Sequence, residues 1–262
     1  MSEPRPRVLL TNDDGVRAPG LAAAYAALAE VADVTVVAPS EQRSGVSHSI
    51  TLEVPLRATP LERYPGYRVD FTPVDSVKLA LKHLLPQPPD VVVSGINRGQ
   101  NAGFLAHYSG TVAAAKEAAL SGHQALAISL CTLKDPDFEP AAALLPALVR
   151  LLVERPLPPG VLLNVNVPAL PTRELRGFRW CRQSLRVLDD DYERRSDPRE
   201  RPYYWLTGAG PLEGLDPADD LTAIQEGYVA LTPLVLDWTH PALFADGGDE
   251  ALDALRGALG PG

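Results

Sequence analysis

Two adjacent carboxylates, Asp13 and Asp14, follow a short apolar run at residues 7–10. The run is typical of a buried strand, and the turn-forming residues 12–15 end it. An open parallel sheet binds its ligands at the carboxyl ends of its strands, where this pair would lie. Neighbouring like charges are costly unless a positive group binds them, so the pair predicts a divalent cation site. The alternative is a turn that begins a helix, where Asp is common.

Two further polar segments are predicted to reach the same edge of the sheet. Residues 40–49 are rich in hydroxyls and leave a β-branched strand at residues 33–38. Residues 94–103 carry Asn97 and Asn101 and leave an apolar strand at residues 90–94. Each segment taken alone could be only a solvated loop or turn. Their position beside Asp13 and Asp14 favours a role in binding.

A third polar segment, residues 109–111, precedes a helix of small residues predicted over 112–120. Ser109 or Thr111 could simply cap that helix. The first turn of a helix also offers unpaired N–H groups to an anion. The segment therefore predicts a place where phosphate could bind.

The elements that would position these segments alternate between strand and helix. Residues 21–30, after Pro19 and Gly20, predict the first helix, and Thr72 predicts the N-cap of a helix that extends to about residue 85. This pattern indicates an α/β fold with a Rossmann-like opening and a mainly parallel sheet. No G-x-G-x-x-G follows the first strand, which disfavours ordinary dinucleotide binding. The remaining predicted elements are strands at 125–130 and 161–167, a helix at 138–154, and an inserted strand pair at 52–56 and 67–71.

The character of the chain changes after about residue 170. Strands are predicted at residues 180–188, 203–207 and 228–232, and a short helix at 249–259. The mixed-charge run at residues 189–201 predicts a mobile, solvated excursion.

Composition excludes several classes of protein. The net charge of -9 argues against a nucleic-acid binder, which would need a basic face. With two cysteines, neither a disulfide framework nor a thiolate metal cluster is expected. No apolar run approaches the roughly 18 residues of a membrane span, and the N-terminus lacks the apolar segment of a signal peptide. We therefore expect a cytoplasmic protein.

Four segments together resemble the survival protein SurE family. They are T-N-D-D-G at 11–15, R-S-G-V-S-H-S-I-T-L at 43–52, S-G-I-N-R-G-Q-N at 94–101 and Y-S-G-T-V-A-A-A at 108–115. The likeness covers roughly the first two thirds of the chain, and residues 229–237 are similar to the family's last strand.

This resemblance implies a metal-dependent phosphatase that acts on nucleoside 5′- and 3′-monophosphates, in some members also on short polyphosphate. It implies a three-layer α/β/α catalytic domain at residues 1–168. It also implies an extension at residues 169–262, with a β-hairpin and a helix, that forms homodimers or homotetramers. By the family's motifs, the residues that face the phosphate are Asn101, Ser109, Gly110 and Thr111, and the metal ligands are Asp13, Asp14, Ser44 and Asn97.

The chemistry of those ligands agrees with the implied metal. Two carboxylates, a hydroxyl and an amide oxygen suit one hard cation per subunit, Mn²⁺ or Mg²⁺. We predict hydrolysis by metal-activated water, which Asp13 or Asp14 orients or deprotonates. The alternative is an aspartyl-phosphate on Asp13.

Three histidines in polar turns, His48, His107 and His240, are candidates for the general acid. The family often has a histidine shortly after its last strand, which favours His240. The aspartate-nucleophile phosphatases would want Asp-x-Asp, which the chain lacks after its first strand. A module that only senses nucleotide or phosphate remains the second hypothesis.

Overall fold

Apolar, β-branched runs form a nine-stranded sheet in the computed structural model, which describes residues 5–186, 191–207, 214 and 216–241. The strand order is β3-β4-β2-β1-β5-β6-β7-β11-β8. The strands of this sheet are β1 Arg7–Thr11, β2 Asp33–Pro39, β3 Ala58–Pro60, β4 Gly66–Val69, β5 Val91–Arg98, β6 Gln124–Cys131, β7 Val161–Pro168, β8 Phe178–Trp180 and β11 Val229–Val235. A separate hairpin pairs β9 Tyr192–Ser196 with β10 Pro202–Leu206.

Helices cover both faces of the sheet, which gives three layers. They are α1 Pro19–Ala29, α2 Pro73–Leu79, α3 Gly110–Leu120, α4 Glu139–Glu154 and α5 Asp220–Gln225. On one face α1 and α4 bury side chains such as Leu21 and Leu145 against the strands, and on the other α2 and α3 bury mainly Val and Ala. The predicted three-layer α/β fold is confirmed.

The sheet is mainly parallel, and its strand order reverses at β1. β1 pairs in parallel with β2 on one side and with β5 on the other, because the chain goes outward through β2 to β4 and then crosses back. Antiparallel pairs occur between β3 and β4 and between β7 and β11. Such a switch point opens a crevice at the carboxyl ends of the two central strands. The loops that follow β1 and β5 both begin there.

Local signals at the helix ends agree with the sequence. Thr72 caps α2 in a reciprocal capping box with Asp75, and Pro73 occupies the first turn. A π-helical segment, Ala80–Leu84, continues α2. Helix α1 begins at Pro19, two residues before the predicted start.

The prediction of a strand at residues 52–56 is wrong. Leu52 is 82% exposed, and the strand that pairs with β4 is β3, further along the chain. The segment is held by side-chain bonds: both the N–H and the hydroxyl of Thr51 donate to the carboxylate of Asp75, at 3.0 and 2.7 Å. Leu52 and Val54, the apolar residues of this segment that a strand would bury, are therefore both exposed.

The predictions for the C-terminal part need two corrections. The charged excursion contains β9, because opposite charges compensate along it: Arg195 pairs with Glu193 at 2.7 Å, and Asp197 accepts bonds from Arg199 and Arg201 in the turn. The strand predicted at 180–188 is β8, which overlaps it only at Trp180. The helix predicted at 249–259 lies outside the described residues.

The part after β7 shares the main sheet. β11 pairs with β7 and β8 pairs with β11, so the two strands extend the edge beyond β7. No helix among the described residues is long and apolar enough to cross a membrane.

Candidate active site at the carboxyl ends of three strands

The turn after β1 is fixed by the buried side chain of Asn12. Its Nδ2 donates to the carbonyl oxygen of Gly15 at 3.0 Å, and its Oδ1 accepts from the N–H of Gly15 at 3.1 Å. Gly15 has a φ of +92°, which favours glycine. This turn directs Asp13 and Asp14 out of the end of the strand.

Asp13 is buried, with 4% of its surface exposed. The hydroxyl of Thr111 in the first turn of α3 donates to its Oδ1, and the N–H of Thr111 also bonds to the carboxylate. Burial raises the pKa of Asp13 to about 6; the bonds from Thr111 oppose this shift, and the charge of Asp14 adds to it. A carboxylate in this position favours a nearby cation.

Gly110 leaves room for Asp13 against α3. A Cβ at this position would lie 2.8 Å from the Cβ of Asp13 and 2.9 Å from its Oδ2. Ser109 is the N-cap of α3, because its Oγ accepts from the N–H of Val112 at 3.1 Å. Of the two candidate caps, Ser109 therefore caps the helix and Thr111 binds Asp13.

Asp14 is half-buried and lies beside Arg98. Burial raises its pKa, while a bond from the backbone N–H of Arg98 and the charge of that residue lower it in part. The side chain of Arg98 is exposed at the end of β5. It supplies a positive charge next to Asp14.

The second loop, residues 40–57, is anchored at several points. The N–H of Arg43 donates to the carbonyl oxygen of Asp13 at 2.7 Å, and the N–H of Ser47 donates to that of Tyr108 at 3.0 Å. Farther along, Nε2 of His48 lies 3.0 Å from Oε2 of Glu117 on α3. These contacts hold Ser44 close to Asp13.

Glu117 joins the second loop to two helices. Its Oε1 accepts from Nζ of Lys78 on α2 at 2.7 Å, and its Oε2 contacts His48. Burial opposes ionisation of Glu117, but the hydrogen bonds from His48 and Lys78 outweigh it and lower the pKa.

The third loop, residues 99–103, follows an irregularity in β5. Ser94 pairs with Ala127 and Asn97 with Ser129, so the register shifts between them. Nδ2 of Asn97 donates to the carbonyl oxygen of Gly99 at 2.8 Å, which leaves Oδ1 as the atom that can bind a cation. Asn101 is buried a few residues later.

These loops surround a cavity of about 540 Å³. Its lining includes Asp13, Asp14, Ser44, Asn97, Asn101 and Ser109. The structure thus brings together the predicted metal ligands with two of the residues predicted to face phosphate. Gly110 and Thr111 are not in the lining; they pack behind Asp13.

The three candidate histidines do not line this cavity. His48 and His107 line a neighbouring cavity of about 460 Å³ together with Ser109. His107 lies 3.2 Å from Nε2 of Gln183. His240 is exposed, five residues after β11.

Sequence reasoning missed several residues of the site. Arg98 and Tyr108 lie within motifs quoted above, yet nothing local indicated that their side chains reach the cavity. Cys131 also lines it; burial, with the charge of Asp220, raises the pKa of its thiol to about 12, which disfavours the thiolate at neutral pH. Asp220 on α5 holds the third loop by accepting from the N–H of Gly103 at 2.9 Å. That contact spans 117 residues and leaves no local signal.

The donor set at this edge of the sheet contains few charged groups. No group of three His, Cys, Asp or Glu side chains able to hold a metal occurs in the described ranges. The available donors are the carboxylates of Asp13 and Asp14 with the neutral oxygens of Ser44 and Asn97. This all-oxygen set fits a hard divalent cation.

Comparison with known proteins agrees with the geometry. A sequence profile described as survival protein SurE matches residues 8–190. The crystal structure of the SurE protein from Aquifex aeolicus has a TM-score of 0.84 and 35% identity, and the match covers 92% of this chain and 98% of that one.

Curated relatives match over nearly their whole length. The 5′-nucleotidase SurE of Syntrophobacter fumaroxidans is 46% identical over 237 residues, 89% of this chain and 95% of the relative. The 5′-nucleotidase SurE of Methylococcus capsulatus is 48% identical over 234 residues, 89% of this chain and 92% of the relative. With a fold, a cavity and sequence motifs that all agree, the chain belongs to the survival protein SurE family.

Proposed function

We propose that this chain is a 5′-nucleotidase that hydrolyses nucleoside monophosphates to nucleoside and phosphate. The observation that carries the proposal is the cavity where Asp13, Asp14, Ser44 and Asn97 meet Asn101 and Ser109. Relatives that bear the name 5′-nucleotidase SurE support it. We extend the proposal to 3′-monophosphates and short polyphosphate, which present the same terminal phosphoryl group.

We propose one divalent cation, Mn²⁺ or Mg²⁺, held by Asp13, Asp14, the hydroxyl of Ser44 and Oδ1 of Asn97. The raised pKa values of the two carboxylates support this assignment, because burial raises both, the charge of Asp14 adds to the shift of Asp13, and a bound cation would relieve these costs. Such a cation, when bound, polarises a phosphoryl group and makes water more acidic.

The two carboxylates have different surroundings and therefore different roles. Asp13 is held by Thr111 and packed against Gly110, which restricts it to binding and orientation. Asp14 is more exposed, and we propose that its carboxylate is the general base that accepts the proton of the attacking water. An aspartyl-phosphate on Asp13 is disfavoured, because its Oδ1 is engaged and its Oδ2 faces α3.

The phosphate would be bound by neutral and positive donors. Asn101 and Ser109 line the cavity. Arg98 also lines it and contributes a positive charge, although the whole chain has a net charge of -9. Thr111 and Gly110 support Asp13, and their contact with the phosphate stays a prediction from the family's motifs. His240 does not line the cavity of the single chain, and we propose it as the acid for the leaving oxygen only because it is the histidine that follows the last strand.

A nucleotide panel tests the proposal. Metal-stripped protein is assayed for phosphate release with and without added Mn²⁺ or Mg²⁺, beside the variant Asp14→Asn. We expect release that needs the cation and falls by at least about 100-fold in the variant. Nucleotide binding without release under any metal would contradict the proposal and favour a sensing module. Labelled phosphate trapped on the protein during turnover would overturn direct hydrolysis.

We also propose that the chain acts as a homodimer or homotetramer joined through the β9–β10 hairpin. All residues of the two strands are exposed in the single chain, including Tyr203, Tyr204 and Trp205. An isolated two-stranded hairpin is marginally stable by itself. Aromatic side chains grouped on such a surface are typical of an interface.

A further inference from the structure

Four buried polar side chains meet beneath the third loop, on the face of the sheet that packs against α3. They belong to Asn101 of that loop, Ser129 of β6, and Asn164 and Asn166 of β7. The last three residues are 0% exposed and Asn101 is 7% exposed. Asn164 and Asn166 are two residues apart on one strand, so they point to the same face.

The two asparagines of β7 bind the backbone of Asn101. Its N–H donates to Oδ1 of Asn166 at 2.8 Å. Its carbonyl oxygen accepts from Nδ2 of Asn164 at 2.8 Å and from Nδ2 of Asn166 at 3.4 Å. These side chains thus satisfy the backbone N–H and C=O of Asn101, as a neighbouring strand would in a sheet. The position of the loop at this residue is fixed from β7.

The side chain of Asn101 is bound separately. Its Nδ2 donates to Oγ of Ser129 at 2.9 Å. A primary amide has two N–H groups and an oxygen, so this one bond leaves further polar capacity. Asn101 also lines the cavity that contains Asp13 and Asp14, whereas Ser129, Asn164 and Asn166 do not.

We propose that Ser129, Asn164 and Asn166 are positioning residues for phosphate binding, which act only through Asn101. This inference rests on the proposed function, in which Asn101 contacts the phosphate. Asn164 and Asn166 fix the position of the Asn101 backbone, and Ser129 fixes the orientation of its side-chain amide. Small errors in such placement are costly in catalysis, because the reacting groups must meet in a narrow range of geometry.

A purely structural role predicts a different pattern of effects. Loss of a buried hydrogen bond would then lower the free energy of unfolding and leave kcat/KM of the folded protein unchanged in any background. A role through Asn101 predicts that the effect disappears once the Asn101 amide is gone. A double-mutant cycle separates the two roles, since it measures the coupling between two residues.

The cycle uses wild type, Ser129→Ala, Asn101→Ala and the double variant. Ser129→Ala removes one hydroxyl and is the smallest change available. We expect it to lower kcat/KM for a nucleoside monophosphate about tenfold, with Mn²⁺ affinity unchanged. In the Asn101→Ala background we expect no further loss. A tenfold loss in both backgrounds would overturn the proposal, as would no loss in either.

Asn166→Leu extends the test to the backbone contacts, and Thr232→Val is the matched control. Thr232 pairs in register with Asn164 and is equally buried, but its hydroxyl has no hydrogen-bond partner among the described residues. We expect the control to keep the activity of wild type. If Asn166→Leu does not fold, the Ser129 cycle alone decides.

A second readout separates this proposal from the proposed function. The dissociation constant of inorganic phosphate for the Mn²⁺-loaded protein is measured by ³¹P NMR for the same four proteins. If wild type binds phosphate with coupling between Ser129 and Asn101 but releases none from nucleotides, the inference stands and the nucleotidase proposal fails. If wild type releases phosphate without coupling in either readout, the nucleotidase proposal stands and the inference fails. If wild type neither releases nor binds phosphate, both fail.

Discussion

The hydroxyl of Thr111 donates a hydrogen bond to Oδ1 of Asp13, which joins the first turn of α3 to the end of β1 across 98 residues of sequence. The contact orients one of two neighbouring carboxylates and leaves the other, Asp14, more exposed. A bond of this kind to a metal ligand raises the affinity of a site, because the ligand does not have to be ordered when the cation binds.

Thr111→Val removes this bond and keeps the shape of the side chain. We expect the affinity for Mn²⁺ to fall about tenfold or more, which is the usual effect of losing a contact to a metal ligand. Isothermal titration of metal-stripped protein measures it. Thr111→Ser keeps the hydroxyl and is the matched control. Equal affinities in the Val and Ser variants would contradict the role assigned to Thr111.

Gly110→Ala brings a methyl group against Asp13. The new carbon would lie within 3 Å of both Cβ and Oδ2 of that residue, so the carboxylate or the start of α3 must shift. We expect a loss of about 1–3 kcal/mol in unfolding free energy, as for other overpacked sites. Nucleotide hydrolysis should fall with it. Urea unfolding and phosphate release test the two effects, and wild-type values in both would refute the close packing.

Glu117→Gln tests how the second loop is held. The folded-state pKa of Glu117 lies below its ordinary value of 4.5, since the bonds from His48 and Lys78 outweigh burial. The ionised form therefore stabilises the fold above pH 4.5, and this contribution disappears as the pH falls through the lowered pKa. At pH 7 we expect the variant to lose about 1–3 kcal/mol of unfolding free energy.

Urea unfolding curves measured over a series of pH values test the direction of this effect. The difference between wild type and Glu117→Gln should shrink as the pH falls below about 4.5. Glu174→Gln, which alters an exposed ion pair with Arg173 away from the hairpin, serves as the control and should change stability little. A difference that grows toward acid pH would mean that the network is not charged as described.

Trp205→Glu addresses the association of subunits. Trp205 is 59% exposed on β10, and a carboxylate there would be buried if the hairpin joins two copies. We expect analytical ultracentrifugation to give an oligomer for wild type and a smaller species for the variant. Glu200→Gln, in the turn of the same hairpin, should behave as wild type. A monomeric wild-type protein would refute the proposed interface.

The sequence predicted the site correctly where the functional residues lie within a strand end or turn that their own neighbours define. Asp13 and Asp14 end a short strand in a turn-forming cluster, so their exit at the edge of the sheet followed from neighbouring residues. The strand pattern then brought Ser44 and Asn97 to the same edge. Thr72 likewise predicted the N-cap of α2 correctly.

The parts that failed depend on distant contacts. Thr51 bonds to Asp75, so residues 52–56 do not form the strand that their alternation predicts. The position of Asn101 is set by Asn164 and Asn166, more than sixty residues away. Both asparagines lie in an otherwise apolar strand. Buried amides need hydrogen-bond partners, so the sequence did indicate that these two side chains bind something. No pattern within a short window indicated which loop they hold.

The carboxylate of Asp13 at the start of α3 determines the order in which ligands are expected to bind. A helix N-terminus normally attracts an anion, but here it already holds one, and Asp14 adds a second negative charge. A nucleotide that arrives at the metal-free protein is therefore repelled. We expect the cation to bind first and the nucleotide second, with free phosphate competing only with the nucleotide. Metal supply, and not nucleotide concentration alone, would then decide how many molecules can accept substrate.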